Sequence, residues 1–188
     1  MNTKFLTCLK LFITCWVFLL CLEVKAQQDR VWKDEVYQEG VKTVTFHQTG
    51  SMKSYPILEL NQGRLELEFD VMSSEIKDYQ YTIVHCDPQW RESNVSSQSY
   101  INGMQSGFIE NYEHSFNTYH DYTHYTLKLP NSTMRPKIAG NYILKIYEGG
   151  NPENLVLTRR FFVFKDVVDI TGEAKQASYA RFRDHKQE

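Results

Sequence analysis

The chain has 188 residues, with 21 Lys and Arg against 23 Asp and Glu, and its net charge is about −2 at pH 7. This balance argues against nucleic acid and anionic membrane surfaces as partners, because both select a concentrated basic patch. With 41% hydrophobic residues, the chain is apolar enough to bury a core of its own, as domains of about 150 residues do.

The first 26 residues have the pattern of a secretory signal peptide. Lys4 and Lys10 give a positive start, residues 11–22 form an apolar run, and residues 24–26 supply a tolerated cleavage site. The run is shorter than the ~20 apolar residues that a transmembrane helix needs, which disfavours a membrane anchor. We therefore expect an exported chain that starts at residue 27.

Removal of residues 1–26 would leave 18 basic and 22 acidic residues, a net charge of about −4, and Cys86 as the single cysteine. An intrachain disulfide is then impossible, so the hydrophobic core has to hold the exported chain together. We expect residues 27–166 to form a β-sandwich domain, with a polar lead-in that docks through Trp32. Residues 167–188 are expected to be a linker or the start of a further β domain.

Runs that alternate apolar and polar side chains predict strands with one buried face. In the clearest run, Leu65, Leu67 and Phe69 face inward and the carboxylates between them face outward. Pro56 cannot donate to a sheet ladder, so its strand starts at the proline or lies at an edge. In chain order, the predicted strands are residues 41–47, 55–60, 64–70, 79–86, 120–129, 139–148 and 155–164, with residues 167–170 as the start of an eighth.

The turns complete the predicted fold. Residues 61–63, Asn-Gln-Gly, predict a tight hairpin, because glycine adopts positive φ with little strain. Pro130 is predicted to end the strand at residues 120–129. Seven or eight strands, short turns and no convincing helix predict an all-β fold, an antiparallel immunoglobulin-like β-sandwich. The Gly-x-Tyr sequence at residues 140–142 is similar to the corner tyrosine of such sandwiches.

One long aromatic-rich loop is predicted between the strands at 79–86 and 120–129. Most loops have only ~4–6 residues, and disordered segments are poor in aromatics, so we expect an ordered loop. Its aromatic side chains either pin the loop to the sandwich or remain partly exposed and anchor a partner, as aromatics and Arg do at interfaces. Arg159 and Arg160 are expected to flank a strand and pair with carboxylates. The candidate partner-binding residues are Trp90, Arg91, Tyr100, Phe108, Tyr112, Tyr119 and Arg135.

Metal and thiol chemistry receive little support. His120 and His124 have a zinc-like spacing, but on a predicted strand they lie about 13 Å apart at ~3.3 Å per residue, and no cysteine pair completes a site. His85 and Cys86 adjoin each other, but no glycine-rich elbow surrounds the cysteine. We expect Cys86 to be a small buried hydrophobic residue rather than a nucleophile.

Carboxylate and nucleotide chemistry are also weakly indicated. No glycine-rich phosphate loop is present, and spacing alone cannot place two carboxylates across a sugar. The sequence therefore predicts no enzymatic activity and no cofactor. A carbohydrate-binding sandwich of an exported polysaccharide-utilisation system remains the alternative to a protein-binding module. The carboxylates considered as a glycosidase pair are Glu66, Glu68, Asp70, Glu110 and Glu113, of which the first three alternate like a solvated strand face.

Residues 85–90, His-Cys-Asp-Pro-Gln-Trp, resemble the HC[ND]xxW signature of a Bacteroidetes family, the plug proteins of the type IX secretion system. The resemblance is to the N-terminal domain of that family and covers about residues 30–185. Further segments are similar to the family in order and spacing: residues 115–118, 122–125, 130–131, 134–136, 140–142 and 157–161.

The resemblance implies a periplasmic protein without enzymatic activity, at the inner face of the outer membrane. It implies a large outer-membrane β-barrel translocon as the partner, whose periplasmic mouth the plug seals while the translocon is idle. Family members are considerably longer than this chain and have more β domains. From the resemblance we therefore expect that the reading frame ending at Glu188 is truncated or fragmentary.

Overall fold

The computed structural model describes residues 30–52, 54–168 and 171–172. The predicted signal peptide and most of residues 167–188 lie outside this part of the chain. The described elements are β1 (Glu35–Val36), β2 (Val41–Gln48), β3 (Ile57–Glu59), β4 (Leu65–Val71), β5 (Tyr79–Cys86), α1 (Ser97–Tyr100), β6 (Ile101–Gly103), β7 (Gly107–Phe108), β8 (Asn111–His114), β9 (Thr123–Leu129), β10 (Met134–Pro136), β11 (Gly140–Glu148) and β12 (Leu155–Phe164).

The strands form two main sheets. One has the order β1-β12-β11-β5-β7, with β3 added to β12 as a parallel neighbour, and the other has the order β2-β4-β9-β8. Taken as strands A to G, β2, β4, β9 and β8 reproduce the ABED sheet of a constant-type immunoglobulin domain, and β12, β11 and β5 reproduce its GFC sheet. The predicted all-β immunoglobulin-like sandwich is therefore confirmed.

Aromatic side chains fill the space between the two sheets. Phe69 of β4 stacks on Tyr125 with ring centroids 5.2 Å apart and meets Tyr79 of the other sheet edge-on at 5.6 Å. Phe46 and Phe161 make a second edge-on contact across the sheets at 5.9 Å. Large aromatics bury about 150–250 Å² each, so these contacts give the domain a continuous core without a disulfide.

The register of β4 follows the predicted alternation. Leu65, Leu67 and Phe69 are fully buried, and the carboxylates between them lie on the outer face. There Glu66 pairs with Lys128 at 3.3 Å, and Asp70 lies 2.6 Å from the Nδ1 atom of His124. A slip of one residue would bury these carboxylates, which fixes the pairing of β4 with β2 and β9.

Two features of the structure differ from what the sequence predicts. Residues 61–63 form a turn with positive φ at Asn61 and Gly63, but they do not form a hairpin, because β3 pairs with β12 and β4 pairs with β2 and β9. The turn carries the chain from one sheet to the other. Residues 167 and 168 are described and do not lie in a strand.

The long loop is more structured than predicted. Between β5 and β9 the chain forms α1 and three short strands, β6, β7 and β8. Of these, β7 extends the sheet of β5 and β8 is the edge strand beside β9. Elements of two to four residues are too short to produce a recognisable hydrophobic period, which explains why the sequence pattern predicted a loop.

Candidate interaction surface

Asp87 organises the turn that follows β5. Its Oδ1 atom accepts hydrogen bonds from the backbone N–H groups of Gln89 (2.8 Å) and Arg91 (2.9 Å), and Arg91 Nε donates to its Oδ2 atom at 2.9 Å. These bonds, the Arg91 backbone N–H foremost, hold the pKa of Asp87 below its ordinary value. The turn places Trp90 at φ 64°, a conformation that a bulky residue adopts only when its surroundings fix it.

Trp90 and Trp32 together cover the outer face of the sheet that contains β5 and β11. The backbone N–H of Trp32 donates to the carbonyl of Trp90 at 2.8 Å, and the Trp90 ring meets Phe162 edge-on at 5.3 Å. Trp32 is buried, so the predicted docking of the lead-in is confirmed. The side chains covered by the two indoles form a small second core: Val84, Cys86 and Ile143.

Arg159 and Arg160 lie within β12, and their side chains do not form the predicted pairs with carboxylates among the described residues. Arg160 Nε donates to the carbonyl of Trp32 at 2.8 Å, and Arg159 donates to the carbonyls of Glu35 and Thr158. Both arginines therefore fasten the N-terminal segment to β12 through its main chain.

His85 and Cys86 point to opposite faces of β5. Cys86 is 3% exposed, and burial raises the pKa of its thiol to about 12, with a further contribution from Glu92. His85 Nδ1 lies 2.8 Å from the hydroxyl of Ser93, and burial lowers the pKa of its imidazole. The thiol is therefore protonated near neutral pH and separated from the imidazole, as expected for a packing residue.

The histidines considered for metal binding are also apart. His124 pairs with Asp70 on the outer face of β9, and His120 lies in the β8–β9 loop against the ring of Tyr119. Within residues 30–52, 54–168 and 171–172, no three His, Cys, Asp or Glu side chains are close enough together to hold a metal ion.

The predicted partner-binding aromatics divide into buried and exposed groups. Tyr100 is only 5% exposed, because its ring packs against His85 and Tyr142, and Trp90 is half-buried. These two side chains fit the interpretation that aromatics pin the segment to the sandwich. The remaining candidates, all at the surface, are Arg91, Phe108, Tyr112, Tyr119 and Arg135.

The connection between β8 and β9, residues 115–122, is called the exposed hairpin loop, and it presents the most exposed aromatic pair in the described part of the chain. Phe116 is 94% exposed and Tyr119 is 96% exposed. The loop closes through hydrogen bonds from Ser115 N to the Tyr122 carbonyl (2.9 Å) and from Tyr122 N to the Ser115 hydroxyl (3.0 Å). Sequence analysis singled out Tyr119 but not Phe116, although Phe116 has the same setting three residues earlier.

Phe108 and Tyr112 border a second feature, a cleft of about 310 Å³ where the chain passes from β7 to β8. Phe108 is 60% exposed and Tyr112 is 39% exposed. Tyr79 is fully buried beside this cleft, and its hydroxyl has no hydrogen-bond partner among the described residues. Burial, with the nearby charge of Glu148, raises the pKa of Tyr79. Phe108 and Tyr112 are thus further exposed aromatics, and they lie on the edge strands β7 and β8.

A family model for the first domain of type 9 secretion system plug proteins matches residues 41–165. The chain belongs to this family. The match spans every strand from β2 to β12, so it includes the Asp87 turn, the exposed hairpin loop and, apart from β1, both sheets. Membership assigns the chain to the first domain of a type 9 secretion system plug protein.

A solved structure supports the same fold. A hypothetical protein from Parabacteroides merdae ATCC 43184 is 30% identical, with a TM-score of 0.69, over 72% of this chain and 34% of that chain. The chain therefore spans about a third of the length of this relative. An alkylpurine DNA glycosylase, AlkC, from Pseudomonas fluorescens matches with 11% identity and a TM-score of 0.34 over 64% of this chain and 30% of that chain, which is too low to support any argument. No curated protein matches the chain.

In the part of the chain that the structure describes, no helix has the length and hydrophobicity to cross a bilayer.

Proposed function

We propose that this domain is a non-catalytic docking module that helps to seal an outer-membrane β-barrel translocon of the type IX secretion system from the periplasm. In this proposal residues 1–26 direct export and are removed, residues 27–166 form the docking domain, and residues 167–188 lead towards further domains. The family match over residues 41–165 is the observation that carries the proposal.

The exposed hairpin loop supplies a contact surface for such a partner. Phe116 and Tyr119 project from a loop whose two ends are joined by hydrogen bonds, which reduces the backbone entropy lost when the loop enters an interface. Aromatic side chains in partner pockets contribute much of the binding energy of protein interfaces. Arg91 and the Phe108–Tyr112 border are proposed as flanking contacts.

A photocrosslinking experiment in the native organism tests this proposal. A photoreactive amino acid at position 116 or 119 is expected to yield a covalent adduct with a very large outer-membrane barrel protein, identified by mass spectrometry. The matched control carries the same amino acid at position 55, because Tyr55 is an exposed aromatic in a different turn. Equal crosslinking yields at positions 55, 116 and 119 would show that the exposed hairpin loop is not part of the interface.

Two further results would contradict the proposal as a whole. The first is recovery of the chain only as a free periplasmic protein after mild crosslinking. The second is retention on a panel of glycans that is lost in a Phe116→Ala/Tyr119→Ala variant, which would favour the carbohydrate-binding alternative. A single-channel recording of the isolated translocon then tests sealing itself, since addition of the full-length plug is expected to lower its conductance.

A further inference from the structure

A cleft of about 450 Å³ lies between the β3–β4 turn and the connection from β9 to β10. Gly63 lies on one side, and Pro130 and Ser132 lie on the other. The exposed hairpin loop precedes β9 and the cleft follows it. Because a strand rises ~3.3 Å per residue, β9 separates the two features by about 20 Å. The cleft is therefore a second surface, at the opposite end of the sandwich.

Two arginines give this cleft its charge. Arg64 and Arg135 both line it, both are exposed, and no acidic side chain is among its described lining residues. Neither guanidinium forms an ion pair within the described part of the chain. In a chain whose net charge is about −2, two such groups in one cleft create a local positive potential, and a guanidinium fork matches the geometry of a carboxylate.

The segment that carries Arg135 is held in place by Asn131. The Oδ1 atom of Asn131 accepts hydrogen bonds from the backbone N–H groups of Thr133 and Met134, both at 3.0 Å, and its Nδ2 atom donates to the carbonyl of Lys128 at 2.9 Å. Arg135 Nε donates to the Asn131 carbonyl at 3.3 Å. The backbone that carries the arginine is thereby set before any ligand arrives, which lowers the entropic cost of binding.

Part of the remaining wall is apolar, beside the polar side chains of Asn61, Asn131 and Ser132. Leu58 and Leu60 contribute from the β3 side, and Pro130 and Pro136 contribute from the β9–β10 side. A small inorganic anion would make no use of these walls. A polypeptide that presents an apolar side chain next to a carboxylate would contact both the apolar walls and the arginines.

We propose that this cleft binds a carboxylate-bearing polypeptide segment of a partner protein. Arg64 and Arg135 pair with the carboxylate, and the partly exposed side chains of Leu60 and Pro130 contact a neighbouring apolar residue of the segment. The binding does not depend on whether the domain seals a translocon, because it uses none of the residues of the exposed hairpin loop.

A titration followed by NMR tests the proposal with the isotope-labelled chain. The probe is a pentapeptide of alternating leucine and glutamate with a free C-terminus. The reference is the same peptide with glutamine for glutamate and an amidated C-terminus. We expect saturable shifts of the Asn61, Gly63 and Ser132 amides with the acidic peptide. Affinity is expected to fall at least tenfold, about 1.4 kcal/mol, with the neutral peptide or in the Arg64→Gln/Arg135→Gln variant.

Lys42→Gln/Lys165→Gln is the matched control, because both lysines are exposed, lie outside the cleft and together give the same change in charge as the double arginine variant. It is expected to leave the affinity unchanged. Single Arg64→Lys and Arg135→Lys variants keep the positive charge but lose the planar guanidinium group that can pair with both carboxylate oxygens. They are expected to bind the acidic peptide with intermediate affinity. These single variants test the proposal even if the double variant proves unstable. Equal binding of the neutral peptide, equal weakening by Lys42→Gln/Lys165→Gln, or equally tight binding of inorganic phosphate alone would each overturn the proposal.

Discussion

The hydroxyl of Tyr142 donates a hydrogen bond of 2.9 Å to the backbone carbonyl of Ile138. Tyr142 is fully buried near the start of β11, where its ring also stacks on Phe161 at 5.2 Å. The bond ties β11 to the connection before it, as the corner tyrosine does in immunoglobulin-like sandwiches. The arrangement predicted from the Gly-x-Tyr sequence is therefore present.

Replacement of Tyr142 with Phe should destabilise the domain by about 1–2 kcal/mol, because it leaves the Ile138 carbonyl without its partner while keeping the ring in the core. Urea unfolding measures the change. Tyr112→Phe, at a partly exposed position, should change the free energy of unfolding by less than about 0.5 kcal/mol. Equal effects of the two substitutions would show that the corner bond contributes nothing.

Gly140 makes room for the imidazole of His85. It has φ 151°, and a Cβ atom there would overlap the Nε2 atom of His85. We expect Gly140→Ala to destabilise the domain by about 2–4 kcal/mol through backbone strain and overpacking. Gly40→Ala is the control, because nothing lies within 4 Å of its Cβ position. Thermal unfolding of both variants checks the prediction, and similar melting temperatures would contradict it.

The sequence predicted those elements whose two faces differ in burial. In β4 each inward side chain is fully buried, so its alternation was plain, and its register followed from the cost of burying carboxylates. In β8 all four residues are exposed, so no alternation marks it as a strand. The turn at Asn61 was recognised from local chemistry, but a turn sequence does not specify which sheet its strands join.

The candidate site shows the same limit. Tyr100 and Tyr119 are chemically identical and lie in one aromatic-rich segment, yet one is packed on Tyr142 and the other projects into solvent. The difference arises from which strand each residue adjoins in space. Sequence reasoning could therefore nominate the aromatic residues, whereas their division into packing and surface residues required the folded arrangement of β5, β8 and β11.

Alkaline conditions should destabilise the domain partly through Cys86. Burial raises the pKa of its thiol from about 9 to about 12, so the folded state favours the protonated form. This stabilisation is fully present below pH 9 and is lost as the pH rises towards 12. For the chain from residue 27, the free energy of unfolding should fall more steeply between pH 9 and 11 than for a Cys86→Ala variant. Parallel curves for the two proteins would refute the assignment.

Asn131 should be the most sensitive polar position of the β9–β10 connection. Replacement with Ala removes the acceptor of the Thr133 and Met134 N–H groups and the donor to the Lys128 carbonyl. We expect a loss of about 2–3 kcal/mol in the free energy of unfolding, because backbone groups near the buried Met134 lose their partners. Urea unfolding measures the loss, with Asn111→Ala at an exposed position of β8 as the control. A loss below about 0.5 kcal/mol, the range of ordinary surface substitutions, would mean that water replaces these bonds and that Arg135 is not held rigidly.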